Sequence, residues 1–167
     1  MITYSKRRVL KIGLLYGLAA GILGGVNAVT SAALVGKVGE ELIFYVVIFG
    51  IAALAVASGL IAARISGRSL TGLWVGLLVG LIAAVIATAA RAGFTVAFYN
   101  LMRHDPAEIR DWMHRGSATF KDYLVADRIG GFFNTTLSFG VICGVCGILG
   151  GWFNSVRASF ARRQVSS

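Results

Sequence analysis

Residues 70–90 read LTGLWVGLLVGLIAAVIATAA. No Asp, Glu, Lys or Arg interrupts them, and a run of that length decides the class of protein. A bilayer hydrocarbon core about 30 Å thick takes roughly 20 residues of α-helix to cross. In lipid no water serves the backbone, so a spanning segment must satisfy its own N–H and C=O groups, as a helix does. Three further runs share this character: 12–35, 42–63 and 129–153. A core helix of a soluble protein keeps a polar face and usually runs about 8–20 residues, and none of these runs has such a face. The sequence therefore predicts an all-α membrane protein: one integral membrane domain over 1–167, with four transmembrane helices in a glycine-rich bundle.

The averages point the same way. Of 167 residues, 57% are hydrophobic and 14% charged, whereas soluble domains carry about a quarter charged residues. A soluble core of this size cannot absorb so much apolar surface, and disorder requires low hydrophobicity. The first run follows a basic cluster (Lys6, Arg7, Arg8, Lys11) and carries Thr30-Ser31-Ala32 near its end, which resembles a cleavable signal. It is much longer than the roughly 7–15 residues of a signal peptide's apolar region, so it reads as a retained span.

Charge placement predicts orientation. With the N-terminus inside, the inner segments are 1–11, 64–69 and 154–167; they hold Lys6, Arg7, Arg8, Lys11, Arg64, Arg68, Arg157, Arg162 and Arg163, and no acid. The segments 36–41 and 91–128 hold the remaining basic residues and every acid, and they balance, so the formal net charge of +9 belongs to the inner face. Short basic loops on the cytoplasmic side are the expected pattern. Trp74 and Trp152 fall at the inner interface, and Phe44, Tyr45, Phe132 and Phe133 at the outer one. The partner implied by the basic face is a bilayer with anionic headgroups, which attract juxtamembrane Lys and Arg at about 1 kcal/mol each, and not nucleic acid.

The chain has 22 glycines, nearly twice the usual share of about 7%. Gly13, Gly17, Gly21 and Gly25 recur every fourth residue in the first span, and Gly72, Gly76 and Gly80 in the third. The fourth span carries Gly140, Gly144, Gly147, Gly150 and Gly151. Residues four apart drift only about 40° around a helix, so each series makes a slanting groove of the kind that lets helices approach closely in lipid. On the first helix Asn27 and Ser31 continue the groove in polar form. The motif Gly13-Leu14-x-x-Gly17-Leu18-x-x-Gly21 recurs as Gly72-Leu73-x-x-Gly76-Leu77-x-x-Gly80, which reads either as a duplicated hairpin or as convergence on Gly and Leu.

The segment 91–128 is the one sizeable part outside the runs. Its first residues, to Met102, stay apolar and aromatic, so the third helix is expected to continue past Arg91. Asp105-Pro106-Ala107-Glu108 is a helix start, with Asp105 as cap, Pro106 in the first turn and Glu108 reaching back. The helix should end near Arg115, before Gly116, as an amphipathic element on the outer surface. Thr119-Phe120-Lys121-Asp122 is a second capping box leading into the last span.

Few residues suggest chemistry. His104, Glu108, Asp111 and His114 include possible metal ligands, but their spacing matches no strong motif such as H-E-x-x-H, and solvated residues on an amphipathic helix are the plainer reading. Cys143 and Cys146 form a C-x-x-C pair inside an apolar run without accompanying ligands, and buried small residues explain them as well. Arg91 closes its run and is either paired in the bundle or snorkelling outward. Asn134, Thr135, Thr136 and Ser138 form a polar patch suited to interhelical hydrogen bonds or to the wall of a polar cavity. No G-x-S-x-G, P-loop or zinc series is present, and no cofactor is implied.

The pattern Gly67-x-x-Leu70-x-Gly72-Leu73-x-x-Gly76-Leu77-x-x-Gly80, then Phe98-Tyr99-Asn100, the charged helix at 105–115 and a small-residue final span resembles an uncharacterised bacterial four-helix membrane family, classed as a domain of unknown function. The likeness covers mainly 64–157. It implies an integral bacterial membrane protein and supplies no activity and no site residues; with the charge placement above, the expected location is the bacterial cytoplasmic membrane with both termini cytoplasmic.

Three functions follow from these readings. The first is a non-enzymatic assembly or accessory subunit, a homo-oligomer or the companion of another membrane protein, packing through its glycine faces. The second is a small oligomeric channel or transporter using the polar residues Asn27 and Asn134. The third is a redox or metal protein.

Overall fold

The computed structural model describes residues 2–33, 40–116 and 119–165. Those residues fold into α1 (Ile2–Ala33), α2 (Glu40–Ser66), α3 (Leu70–Ala97), the single turn α4 (Tyr99–Met102), α5 (Pro106–Arg115) and α6 (Phe120–Val165). No strand occurs among the described residues. Four helices are long and apolar enough to cross a membrane, over Lys6–Thr30, Glu41–Ser66, Leu70–Ala97 and Phe120–Arg157. They pack side by side as one bundle.

Each spanning helix overruns its uncharged run, and α3 and α6 do so through the charged residues at the α5 end. α3 continues through Arg91 to Ala97, and α6 starts at Phe120, well before Ile129. At 46 residues, α6 is roughly 69 Å long at 1.5 Å per residue, far more than a hydrocarbon core. The charged residues at these junctions do not end the helices because they pair with one another across α3, α5 and α6, as described below.

The core is built of small side chains. Ala20, Ala55, Ala62, Ala83 and Ala84 are buried, and the largest side chains with essentially no exposure are Ile51, Val79, Cys143 and Ser58. The large apolar residues point outward: Leu15, Ile22, Phe49, Trp74 and Leu137 are each more than three-fifths exposed. In water such a surface would aggregate; in a bilayer it is the face offered to lipid.

The glycines explain how the helices come so close. On α1, a Cβ at Gly13 would lie 2.7 Å from Leu78 Cδ2, one at Gly17 2.8 Å from Ile82 Cδ1, and one at Gly21 2.9 Å from Ile86 Cβ. Leu78, Ile82 and Ile86 of α3 thus fill the groove of α1, one side chain per glycine, with the two helices running parallel. The glycines of α3 look the other way. Gly72, Gly76 and Gly80 face the main chain of α6 at Gly147, Cys143 and Phe139, the two helices running antiparallel. Gly147 also meets Gly59 of α2 backbone to backbone, and Gly150 meets α2 at Val56 and Leu60.

The two matching glycine motifs therefore have different partners, side chains for α1 and main chain for α3. Gly144 takes Leu77 and Leu73, whereas Gly140 meets nothing within 4 Å among the described residues. The close approaches at the α2–α3–α6 junction are made by Gly59, Gly147, Gly150 and Gly151.

The connections use two glycines with left-handed backbone, Gly67 (φ 69°) and Gly116 (φ 65°). Gly67 N–H returns to Ala63 O at 2.8 Å and Gly116 N–H to Trp112 O at 3.2 Å, closing the last turns of α2 and α5 in a conformation that costs other residues about 1–2 kcal/mol. Thr119 caps α6, with Asp122 N–H donating to Thr119 Oγ1 at 3.1 Å, while the Asp122 carboxylate takes the Thr119 hydroxyl at 2.7 Å, side chain to side chain. α5 folds over the adjacent end of the bundle, with Trp112 edge-on to Phe120 at 5.7 Å. Phe120, Tyr123 and Leu124 form a small second core there with Tyr99 and Trp112.

Candidate functional site

The charged groups at the α5 end converge on Arg128. Its side chain is 11% exposed. Nε donates to Thr95 Oγ1 at 2.9 Å, Nη1 to Asp127 Oδ2 at 2.7 Å and Nη2 to Glu108 Oε1 at 3.5 Å. Met102 Sδ stands 3.9 Å from Nη2. The planar fork of Arg suits such divided bonding. Around it, the Tyr123 hydroxyl donates to Glu108 Oε2 at 3.1 Å, and the Thr95 hydroxyl donates to Arg91 O at 2.9 Å. Asp127 also receives Arg115 at 3.2 Å and, more distantly, Arg91 at 3.9 Å. One arginine thus ties α3, α5 and α6 together.

Glu108 does not reach back to cap its own helix or sit solvated on an amphipathic face; it turns onto Arg128 and Tyr123, because a carboxylate beside a mostly buried guanidinium gains more than one in water. Asp111 and His114 stay exposed on α5. His104 Nδ1 lies 2.7 Å from Asn100 O. Among the described residues no group of three His, Cys, Asp or Glu converges to hold a metal ion. Cys143 is buried and Cys146 half-buried, both as free thiols.

Beneath this network lies a cavity of about 940 Å³ between the spanning helices. Asn27 enters it from α1, Thr88 and Arg91 from α3, Glu108 from α5, and Arg128, Asn134, Thr135 and Ser138 from α6. Phe44 and Ile48 of α2 and Phe139 and Ile142 of α6 supply apolar wall. The sequence-derived candidates Asn27, Arg91, Asn134 and Thr135 are brought together here, and His104 joins them at the rim. The side chain of Ser31 lies outside the described residues. Among the described residues no side-chain hydrogen bond ties Asn134, Thr135 or Ser138 to another helix. The patch on α6 lines space instead of stapling helices.

Asn27 Oδ1 is buried and has no hydrogen-bond partner among the described residues, and neither has Thr136 Oγ1. A buried acceptor left unpaired costs about 1–3 kcal/mol. The neighbouring Thr30 hydroxyl is spent locally, on Val26 O at 2.9 Å.

Sequence reasoning did not single out Arg128, Asp127 or Thr95. The available signals were the Asp127-Arg128 pair abutting the last apolar run and Thr95 one helical turn beyond Arg91, both at ends of runs where a flanking charge is ordinary. Comparison with protein families, with curated proteins and with solved structures finds no match for this chain.

Proposed function

We propose that this multi-pass membrane protein is a non-enzymatic subunit of the bacterial cytoplasmic membrane that holds a small ligand in the polar cavity at its outer end, with both termini cytoplasmic and the basic inner face against anionic headgroups. The observation that carries the reading is the cavity itself. Its 940 Å³ fall within the roughly 300–1,000 Å³ usual for small-molecule sites, and its wall combines apolar surface with Asn27, Arg91, Asn134 and Thr135. Toward the other end the bundle closes on the fully buried Val79 and Cys143 and on the backbone contacts of Gly147 with Gly59, Gly72 and Gly76. A pocket blind at one end supports a binding role over a continuously open pore. No Asp or Glu lies within the four uncharged runs to carry protons.

The assembly reading, with a homo-oligomer or a membrane-protein partner, draws less support than the glycine pattern suggested. The grooves at Gly13, Gly17, Gly21, Gly72, Gly76 and Gly80 are occupied by the chain's own helices, so they are not available to a neighbour.

The test is access and protection. In a Cys143→Ala, Cys146→Ala background, the thiol introduced by Ser138→Cys should react with a membrane-impermeant maleimide added outside whole spheroplasts. A thiol introduced by Val79→Cys should not. Labelling should slow when the combined lipid and small-molecule fraction of the membrane and periplasm is present. Absence of labelling at position 138, or labelling that nothing in that fraction slows, overturns the reading.

A further inference from the structure

A second cavity of about 850 Å³ adjoins the first on the far side of Arg128, between α3 and α6. Its wall is almost wholly apolar, with Ala92 and Val96 from one helix and Leu124, Ile129 and Phe133 from the other. Val96 is 80% exposed and Phe133 67%, so the open side of this groove is the lipid-facing side of the bundle. Thr88, Arg128 and Phe132 border both spaces. A polar cavity and an apolar, lipid-side groove therefore share one wall.

The polar cavity contains a cation that its neighbours only partly satisfy. Arg91 is 47% exposed. Its approach to Asp127, at 3.9 Å, is the longest of the three that Asp127 makes; Arg128 stands at 2.7 Å and Arg115 at 3.2 Å. Among the described residues the Arg91 guanidinium makes no hydrogen bond. Across from it on α6 stands Gly131, where a Cβ would come to 3.9 Å from Arg91 Nη1, so no side chain fills the space beside the charge.

We propose that the two spaces take the two parts of one amphiphile: a membrane lipid of the adjacent leaflet, with its anionic phosphate or carboxylate head at Arg91 in the polar cavity and an acyl chain in the α3–α6 groove. The inference rests on the cavity reading above and names its ligand. A soluble anion would leave the apolar groove unused, and a neutral head would leave the guanidinium short of acceptors. An acyl chain moving from bilayer to groove exchanges one apolar setting for another, so the groove positions the lipid and the head supplies selectivity. A guanidinium also matches a phosphate or carboxylate through paired N–H donors.

The experiment is native mass spectrometry of the full chain with phosphatidylglycerol and diacylglycerol of identical acyl chains. Phosphatidylglycerol should be retained about tenfold better. Arg91→Gln should bring the ratio to unity, Arg91→Lys should keep most of it, and Arg110→Gln, exposed on α5 and lining neither space, should leave it unchanged. Ala92→Trp, which fills the groove, should weaken retention of both lipids. Inorganic phosphate should not displace bound lipid. A ratio that survives Arg91→Gln, retention untouched by Ala92→Trp, or displacement by phosphate overturns the proposal. If the cavity is labelled and protected at position 138 while the lipid outcomes fail, only the ligand assignment falls; if it is not labelled, the cavity reading falls as well.

Discussion

Gly76 of α3 and Cys143 of α6 meet main chain to main chain: a Cβ on Gly76 would stand 3.0 Å from the Cys143 carbonyl carbon and closer still to its oxygen. Backbone cannot move aside as a flexible side-chain end can. Gly76→Ala and Gly147→Ala should each destabilise the bundle by about 1–3 kcal/mol or more, the cost of overpacking. Gly93→Ala, where the added methyl meets nothing within 4 Å among the described residues, should be neutral or gain up to about 1 kcal/mol of helix propensity. Thermal unfolding in a single detergent measures both; equal losses at Gly76 and Gly93 would count against the packing described.

On the opposite face of α3 the contact is with a side chain, so a paired change should relieve it. Gly17→Ala puts a methyl against Ile82, whose Cδ1 would be 2.8 Å away. Combining Gly17→Ala with Ile82→Ala should cost less than the two single changes together, with a coupling of about 0.5–3 kcal/mol. Strict additivity in the double-mutant cycle would remove Gly17 and Ile82 from direct contact.

Arg128→Met should be the most damaging change at the α5 end. It leaves Glu108 and Asp127 without their closest cation inside the protein, a loss of about 3–5 kcal/mol for a broken buried pair. Thr95→Val removes one hydrogen bond to a charged group and should cost about 1.5–3 kcal/mol. Arg128→Lys should recover little, because a single ammonium cannot reach Thr95, Asp127 and Glu108 in one plane. Melting temperatures that rank Thr95→Val below Arg128→Met in stability contradict the hub.

Asn27→Leu should trade function for stability. It removes a buried acceptor without a partner, a gain of about 1–3 kcal/mol, and it makes the α1 wall of the cavity apolar. The melting temperature should rise while protection of the thiol at Ser138→Cys is lost. A variant that is both less stable and still protected shows that Asn27 has a structural partner.

The bundle was legible because twenty positions without a charge are a constraint imposed by the solvent, independent of local helix preference. The ends of the spans were less so. Arg91 and Arg128 bound the uncharged runs, yet each lies inside a helix, since partners on other helices compensate the charge. Gly13 and Gly72 announced close approach by their spacing, but spacing does not say whether the neighbour is Leu78 or the backbone of Gly147. The cavity was half legible: Asn27, Asn134 and Thr135 stand out as polar residues in apolar runs. Thr95 and Arg128, 33 residues apart, meet only because α3 and α6 pack antiparallel, and no local pattern records that pairing.

The four-residue spacing of the glycines has one more consequence, for register. Gly13, Gly17 and Gly21 receive Leu78, Ile82 and Ile86. A displacement of α3 along α1 by one rung, about 6 Å at 1.5 Å per residue, would set the same glycines against Ile82, Ile86 and Ala90. The α3–α6 ladder tolerates the same slip, since Gly76 would move from Cys143 to Gly147 and Gly80 from Phe139 to Cys143. A repeating ladder selects spacing but not alignment. The bond from Arg128 to Thr95 has no copy one rung away, so the charged knot at the end of the bundle acts as the index mark that tells α3 and α6 which rung is theirs.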